Sequence, residues 1–288
     1  MTLNSSEATI LINARANVGP ASIGLTLSGI SGELLNDAHL RRRWGPFMSG
    51  PVRGDEDILI NLRTSDLKAD QRPGFNTLTP QRTDQGWRLQ RDDIDAALMP
   101  SVLTVEGETR PRLPAVEECA RLLLWLYLST ACEGGLLVHS ATVVKEGVAY
   151  CFPAYGGTGK STLARLTPGD LALSDELSLL TLEDGQWRAW PSPLWNWPRQ
   201  FVGDASRGYP LGGMGFLRQA PMTAFKPLKA DEALTQLMAQ TVAFDALPKA
   251  SATTFNLAAD LVEALRKRGQ VGQLNLVKGE GPFVAFTQ

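Results

Sequence analysis

The chain has 288 residues, enough for one large domain or two small ones with a well-buried core. Hydrophobic residues make up 43 % and charged ones 20 %, the ordinary proportions of a globular chain. A formal charge of −2 gives no electrostatic footprint for nucleic acid or an anionic membrane, so neither is expected as a partner.

The first residues, Met1 to Glu7, lack a basic segment followed by an apolar run, so no secretory leader is expected. Leu122 to Leu128 is the richest apolar stretch and is too short to span a bilayer. Cys119, Cys132 and Cys151 are widely spaced with no CxxC, as in the reduced thiols of a cytoplasmic protein. With only His39 and His139 present, a histidine-rich metal site is not expected.

Residues 1–112 read as an N-terminal β-rich lobe. Ala8 to Asn13, Asp57 to Leu62 and Val102 to Glu106 are short runs rich in β-branched residues, and each predicts a strand. Glu33 to Trp44 predicts a helix, with Arg41, Arg42 and Arg43 on a solvated face. Glycine and proline punctuate the remainder, and no catalytic constellation stands out. The expected role of this lobe is to pack on the second part or to hold a substrate.

Residues 113–288 form the second predicted domain, opened by Pro111 to Pro114. Ala115 to Glu133 has helical periodicity at Val116, Cys119, Leu122, Leu123 and Leu126, and Gly134-Gly135 is expected to end that helix. Leu136 to Val144 and Val148 to Phe152 predict two strands joined by a tight turn at Lys145-Glu146-Gly147. This hairpin delivers Ala154-Tyr155-Gly156-Gly157-Thr158-Gly159-Lys160-Ser161-Thr162. The stretch fits the phosphate-binding loop pattern, with Ala154 where the first glycine usually stands. A strand before it and a helix from Ser161 to Leu166 supply the context the pattern requires. Glycines let the backbone wrap a polyphosphate with N–H groups inward, and the helix N-terminus favours the anion. In that reading Lys160 reaches the β- and γ-phosphates and the Ser161 hydroxyl ligates Mg²⁺.

After a turn at Thr167 to Asp170, Leu171 to Leu180 is an apolar run carrying Asp175 and Glu176. An acidic pair there is either a polar strand end or a metal-binding or catalytic pair. Only one short helix separates it from Lys160, which favours chemistry. Further on, Gly185 to Trp190 predicts a strand and Pro191 to Pro198 an aromatic, proline-pinned loop. Its tryptophans, Trp195 and Trp197, either pack a core edge or offer a flat apolar surface to a base or an extended peptide. Arg199 and Arg207 are candidates for a phosphate-stabilising arginine. Gly215 to Leu217 and Leu274 to Leu276 predict strands, as does Phe283 to Phe286. Asp231 to Gln240 and Asn256 to Arg268 predict helices, the second stopped by Gly269. The class is α/β with a mixed α+β sheet.

This order of elements resembles the HPr kinase/phosphorylase-like group. His139 lies on a strand, and after it come a hairpin, the loop Ala154 to Ser161, a short helix and Leu173-Ser174-Asp175-Glu176. That group shares its P-loop core with phosphoenolpyruvate carboxykinases. The resemblance covers residues 115 to 182 well and the N-terminal hundred residues not at all. It implies ATP and Mg²⁺ bound on the loop and phosphoryl transfer to a hydroxyl, often a serine of a protein or peptide. Lys160 matches the phosphate lysine, Ser161 the metal-binding hydroxyl, and Asp175 the base that accepts the hydroxyl proton. Glu176 matches a second, metal-assisting aspartate, and His139 matches a histidine near the catalytic acid. Ala154 and Gly156 replace the glycine and serine usual in that loop, and the downstream glycine-rich signature of the reverse reaction has no match. HPr itself is therefore not the expected acceptor. A small-molecule kinase for free serine or a sugar, and a nucleotide-binding scaffold without catalysis, are the alternatives. Oligomeric state is left open.

Overall fold

A computed structural model describes residues 10–29, 42–65, 78–110, 113–165, 171–195, 201 and 203–283. The chain divides into two compact units, Met1–Tyr127 and Leu128–Gln288. Each has its own eight-stranded sheet, and strands outweigh helices among the described residues, which makes a mixed α/β protein.

The first unit contains β1 (Ile10–Val18), β2 (Ala21–Gly29), β3 (Met48–Gly50), β4 (Ile58–Thr64), β5 (Pro80–Thr83), β6 (Gly86–Arg91), β7 (Ile94–Met99) and β8 (Thr104–Thr109). Their order in the sheet is β3-β1-β2-β4-β8-β7-β6-β5. The central pairs, β2 with β4 and β4 with β8, are parallel, and antiparallel hairpins flank them. Period-2 alternation puts Ile58, Ile60 and Leu62 on the buried face of β4. β8 begins at Thr104 because Leu103 takes a left-handed backbone (φ 48°) that interrupts an extended run. β2, β5, β6 and β7 carry no apolar run of the kind that marks β4, since small or charged residues alternate with the buried ones.

Arg43 does not lie on a solvated helix face. Its Nη1 donates to both oxygens of Glu117 at 3.0 Å, and Trp44 Nε1 approaches the same carboxylate at 3.4 Å. Arg42 to Trp44 is helical, and the rest of the predicted helix, Arg41 included, lies outside the described residues, as does His39. Helix α1 (Leu113–Thr130) then carries the chain across the boundary between the units. Among the described residues no helix is long and apolar enough to cross a membrane. The helix ends at Thr130, before the glycine pair, and Gly135 opens the next strand instead of capping α1. A Cβ on Gly135 would sit 2.6 Å from the Leu180 carbonyl oxygen, so only glycine allows that approach.

The second unit contains β9 (Gly135–Lys145), β10 (Val148–Pro153), α2 (Lys160–Arg165), β11 (Leu171–Ser174), β12 (Leu177–Glu183), β13 (Gln186–Trp190), β14 (Tyr209–Gln219), β15 (Ala224–Pro227), α3 (Ala230–Met238), α4 (Pro248–Arg266) and β16 (Val271–Leu276). β9 is buried on both faces, as a central strand is. Its first half pairs with β12, and its second half pairs with β10 on one side and β11 on the other, all antiparallel. β10 also pairs in parallel with β14, and β14 in parallel with β16. β10, β11, β14 and β16 therefore run in one direction and share a carboxyl edge.

Helix α4 covers this sheet with a stripe that includes Ala250, Leu257, Leu261 and Leu265. It starts at Pro248, eight positions before the predicted start at Asn256, because Pro248 fits a first helical turn while the small residues after it carry no apolar period. Gly269 stops it as predicted, in a left-handed conformation (φ 68°) with Gln270 N–H donating to the Leu265 carbonyl at 2.9 Å. β14 starts at Tyr209, six residues before the predicted start at Gly215, since its proline and glycines read as turn signals. Phe283 is not in a strand, and residues 284–286 lie outside the described residues.

Candidate functional site

The turn that delivers the glycine-rich loop is a two-residue hairpin. Glu146 (φ 51°) and Gly147 (φ 80°) both take left-handed conformations, and Lys145 pairs with Val148. β10 then ends in the loop 154–159, and the chain turns into α2 at Lys160. Gly157 (φ 78°) and Gly159 (φ 109°) supply the left-handed turns. A Cβ on Gly156 or Gly157 would meet nothing within 4 Å, so space beside those two positions is open. The loop is pinned by Thr158 Oγ1 donating to the Tyr155 carbonyl at 2.8 Å, and by Gln219 Nε2 donating to the Thr158 carbonyl at 3.2 Å.

Lys160 is buried, with its Nζ donating to the Ala154 carbonyl at 2.8 Å and to the Tyr155 carbonyl at 3.3 Å. Burial pushes its pKa below the usual lysine value, and the negative charges of Glu176 and Asp175 oppose that shift. Ser161 and Thr162 follow on α2, where Arg165 Nε donates to the Ser161 carbonyl at 3.0 Å.

The acidic pair occupies a two-residue break between β11 and β12. Both strands pair with β9, Ser174 facing Thr142 and Leu177 facing His139, with a register shift between Ala172 and Ser174. A break of this kind re-aims the side chains it carries. Asp175 is buried, at 2 % exposure. Glu176 is partly exposed, and its Oε1 lies 3.1 Å from His139 Nε2. The backbone holds the three elements together: Ser140 N–H donates to the Glu176 carbonyl at 3.0 Å, and Ala154 N–H approaches the His139 carbonyl at 3.5 Å. The site thus brings His139, Lys160, Asp175 and Glu176 to one edge of one sheet.

A buried hydroxyl cluster ties together the strands behind them. Thr142 and Ser178 hydroxyls lie 2.6 Å apart, and Cys151 Sγ donates to Ser140 Oγ at 3.2 Å. Burial pushes the Cys151 thiol up to about 11, so it is a packing group and no nucleophile. Among the described residues no three histidine, cysteine, aspartate or glutamate side chains gather as a metal cluster.

Two other candidates are placed elsewhere. Trp195 is buried, at 3 % exposure, with Nε1 donating to the Ser192 carbonyl at 2.5 Å, and Pro191 to Leu194 are buried with it. That segment packs a core and offers no docking surface; Trp197 and Arg199 lie outside the described residues. Arg207 lies at the start of β14 with its guanidinium 5.0 Å from the Tyr209 ring centre. β14 has 11 residues, so the loop adjoins its other end, roughly 35 Å away along the strand.

What sequence reasoning missed is the opposite wall. Arg218 and Gln219 end β14 next to the loop, and a cleft of about 300 Å³ opens between the loop, the ends of β14 and β16, and the end of α3. No motif marks these residues. Only the parallel pairing of β14 with β10 reveals them, because ligands of such sheets gather at carboxyl ends of strands.

A family model described as SynChlorMet cassette protein ScmC matches residues 109–265, just over half of the chain. No curated protein matches it.

Proposed function

The chain belongs to the SynChlorMet cassette protein ScmC family, and from that footing we propose that its second unit binds Mg·ATP on residues 154–162 and transfers the γ-phosphoryl group to a hydroxyl. The family description names no reaction, so the reading rests on the site. The observation that carries it is the position of Lys160. It sits at the end of a glycine-rich loop with open space beside Gly156 and Gly157, close enough to Asp175 and Glu176 to feel both charges. The HPr kinase-like P-loop core that the sequence resembles would account for this arrangement.

In this reading the loop N–H groups and Lys160 hold the phosphates, exchanging the lysine's bonds to Ala154 and Tyr155 for bonds to the ligand. Ser161 and Glu176, with Asp175 beside them, are the groups that would hold Mg²⁺, which when bound neutralises charge on the transferring group. His139 orients Glu176 through the 3.1 Å contact. Asp175 takes the proton of the acceptor hydroxyl as that oxygen displaces ADP from the γ-phosphorus. A serine of a protein or peptide is the acceptor the resemblance adds. The burial of Trp195 removes the Pro191-to-Pro198 loop as support for it.

Asp175→Asn tests the assignment. ATP affinity by calorimetry is expected to stay near wild type, while phosphoryl transfer, or slow ATP hydrolysis without an acceptor, falls about a hundredfold to ten-thousandfold. A variant as active as wild type removes Asp175 from the mechanism.

A further inference from the structure

We propose that the cleft beside the glycine-rich loop seats the adenine ring of the nucleotide and that the Gln240 carboxamide reads its edge. This rests on the phosphate-loop reading above and goes beyond it, since nothing in the loop motif specifies a base. The cleft, about 300 Å³, is at the small end of the range for ligand pockets. Tyr155 of the loop borders it, as do Phe216 and Leu217 of β14, Gln273 of β16, and Gln236 and Gln240 at the end of α3. It adjoins the loop at Ala154, Tyr155 and Thr158, so a nucleotide held on the loop can place its nucleoside there.

Gln240 is the decisive residue. Only 6 % of it is exposed, and it lines the cleft. Its backbone is fixed, with N–H donating to the Leu237 carbonyl at 2.9 Å and its own carbonyl accepting from His139 N–H at 2.7 Å. A carboxamide at the wall of an open cleft is hydrated there, and a ligand placed in the cleft can exchange that water for a direct pair. Gln236 stands one helical turn earlier on the same side. Gln273 donates to the Phe216 carbonyl, which holds its carboxamide in the wall. A carboxamide presents a donor and an acceptor side by side, the complement of adenine N7 and N6. Tyr155, 68 % exposed, adds an aromatic face on which a base can stack.

The experiment compares ATP with inorganic tripolyphosphate, which fills the loop but carries no base. Wild type is expected to bind ATP about tenfold or more tighter than tripolyphosphate. Gln240→Leu should lose about tenfold in ATP affinity and nothing in tripolyphosphate affinity. Gln236→Leu, on the cleft wall outside the loop, should move the same way. Lys160→Ala should lose both ligands. Unchanged ATP affinity in both cleft variants, or a parallel loss of tripolyphosphate, overturns the proposal. Wild type holding tripolyphosphate as tightly as ATP sinks the base site alone, whereas wild type holding neither sinks the loop reading with it.

Discussion

Lys160 donates to the carbonyl of Ala154 at 2.8 Å, so the loop closes on the cation supplied by the helix that follows it. The side chain is buried there, and its pKa is lowered from 10.5 by loss of hydration, with Glu176 and Asp175 opposing. The folded protein gives up this proton at lower pH than the unfolded chain does. Between those two values the unfolded chain binds more protons, so stability rises with pH. Wild-type stability relative to Lys160→Met should therefore increase as pH climbs toward 10.5. Denaturant unfolding across the alkaline range measures it, and a difference that stays flat with pH would exclude the shift.

The contact between Glu176 and His139 gives a second expectation. Both side chains are about 31 % exposed, so Glu176→Gln should change folding stability by no more than about 0.5 kcal/mol. Its effect should appear in metal dependence, where the Mg²⁺ concentration for half-maximal ATP binding rises about tenfold or more. His139→Ala should shift it the same way but less, because it frees the carboxylate without removing it. Unaltered Mg²⁺ dependence in both variants would take the pair out of the metal site.

The hairpin at Glu146-Gly147 can be tested on stability alone. A Cβ on Gly147 would meet nothing within 4 Å, so Gly147→Ala carries only the cost of a left-handed backbone, about 1–2 kcal/mol. Glu146→Asn should stabilise by about 0.5 kcal/mol, since asparagine tolerates that conformation better and suits the first position of this turn. Thermal unfolding of the two variants should bracket wild type. The same midpoint for both would contradict the turn.

The parts of this site that could be read in the sequence are the ones with local causes. The turn at Glu146-Gly147, the loop to Thr162 and the stop at Gly269 each depend on a few neighbouring residues with special backbone needs. Asp175 and Glu176 could be placed near Lys160 because little chain separates them. The cleft could not be read this way. Gln240 reaches the cleft because the segment after α3 bonds to β9, with His139 N–H donating to the Gln240 carbonyl and Val138 bridged to Thr241, and that pairing has no local signature. Arg207 and Arg218 show the same limit: both are arginines at an end of β14, and strand direction alone decides which one adjoins the loop. Trp195 could have faced either way, since an apolar ring between prolines has the same composition whether it packs inward or outward.

The two adjacent loop glycines should behave oppositely, and the contrast tests the register of the motif. Gly156 has no left-handed φ, and a Cβ there would meet nothing within 4 Å. It also stands where the resembled kinase group has serine. Gly156→Ser should therefore leave both folding and ATP affinity near wild type. Gly157 is left-handed (φ 78°) in equally open space, so Gly157→Ala should cost about 1–2 kcal/mol of folding stability through backbone strain alone. An alanine relieves that strain by rotating the peptide that leads to Thr158, which turns an N–H away from the concave side where a phosphate would lie. ATP affinity should then fall by more than tenfold, a larger loss than strain in the free protein accounts for. Circular dichroism and calorimetry on the two variants separate the effects. Wild-type ATP affinity in Gly157→Ala would mean that the left-handed turn shapes the loop without cradling a ligand. Lost affinity in a stably folded Gly156→Ser would mean that the phosphates run along a different register of the loop.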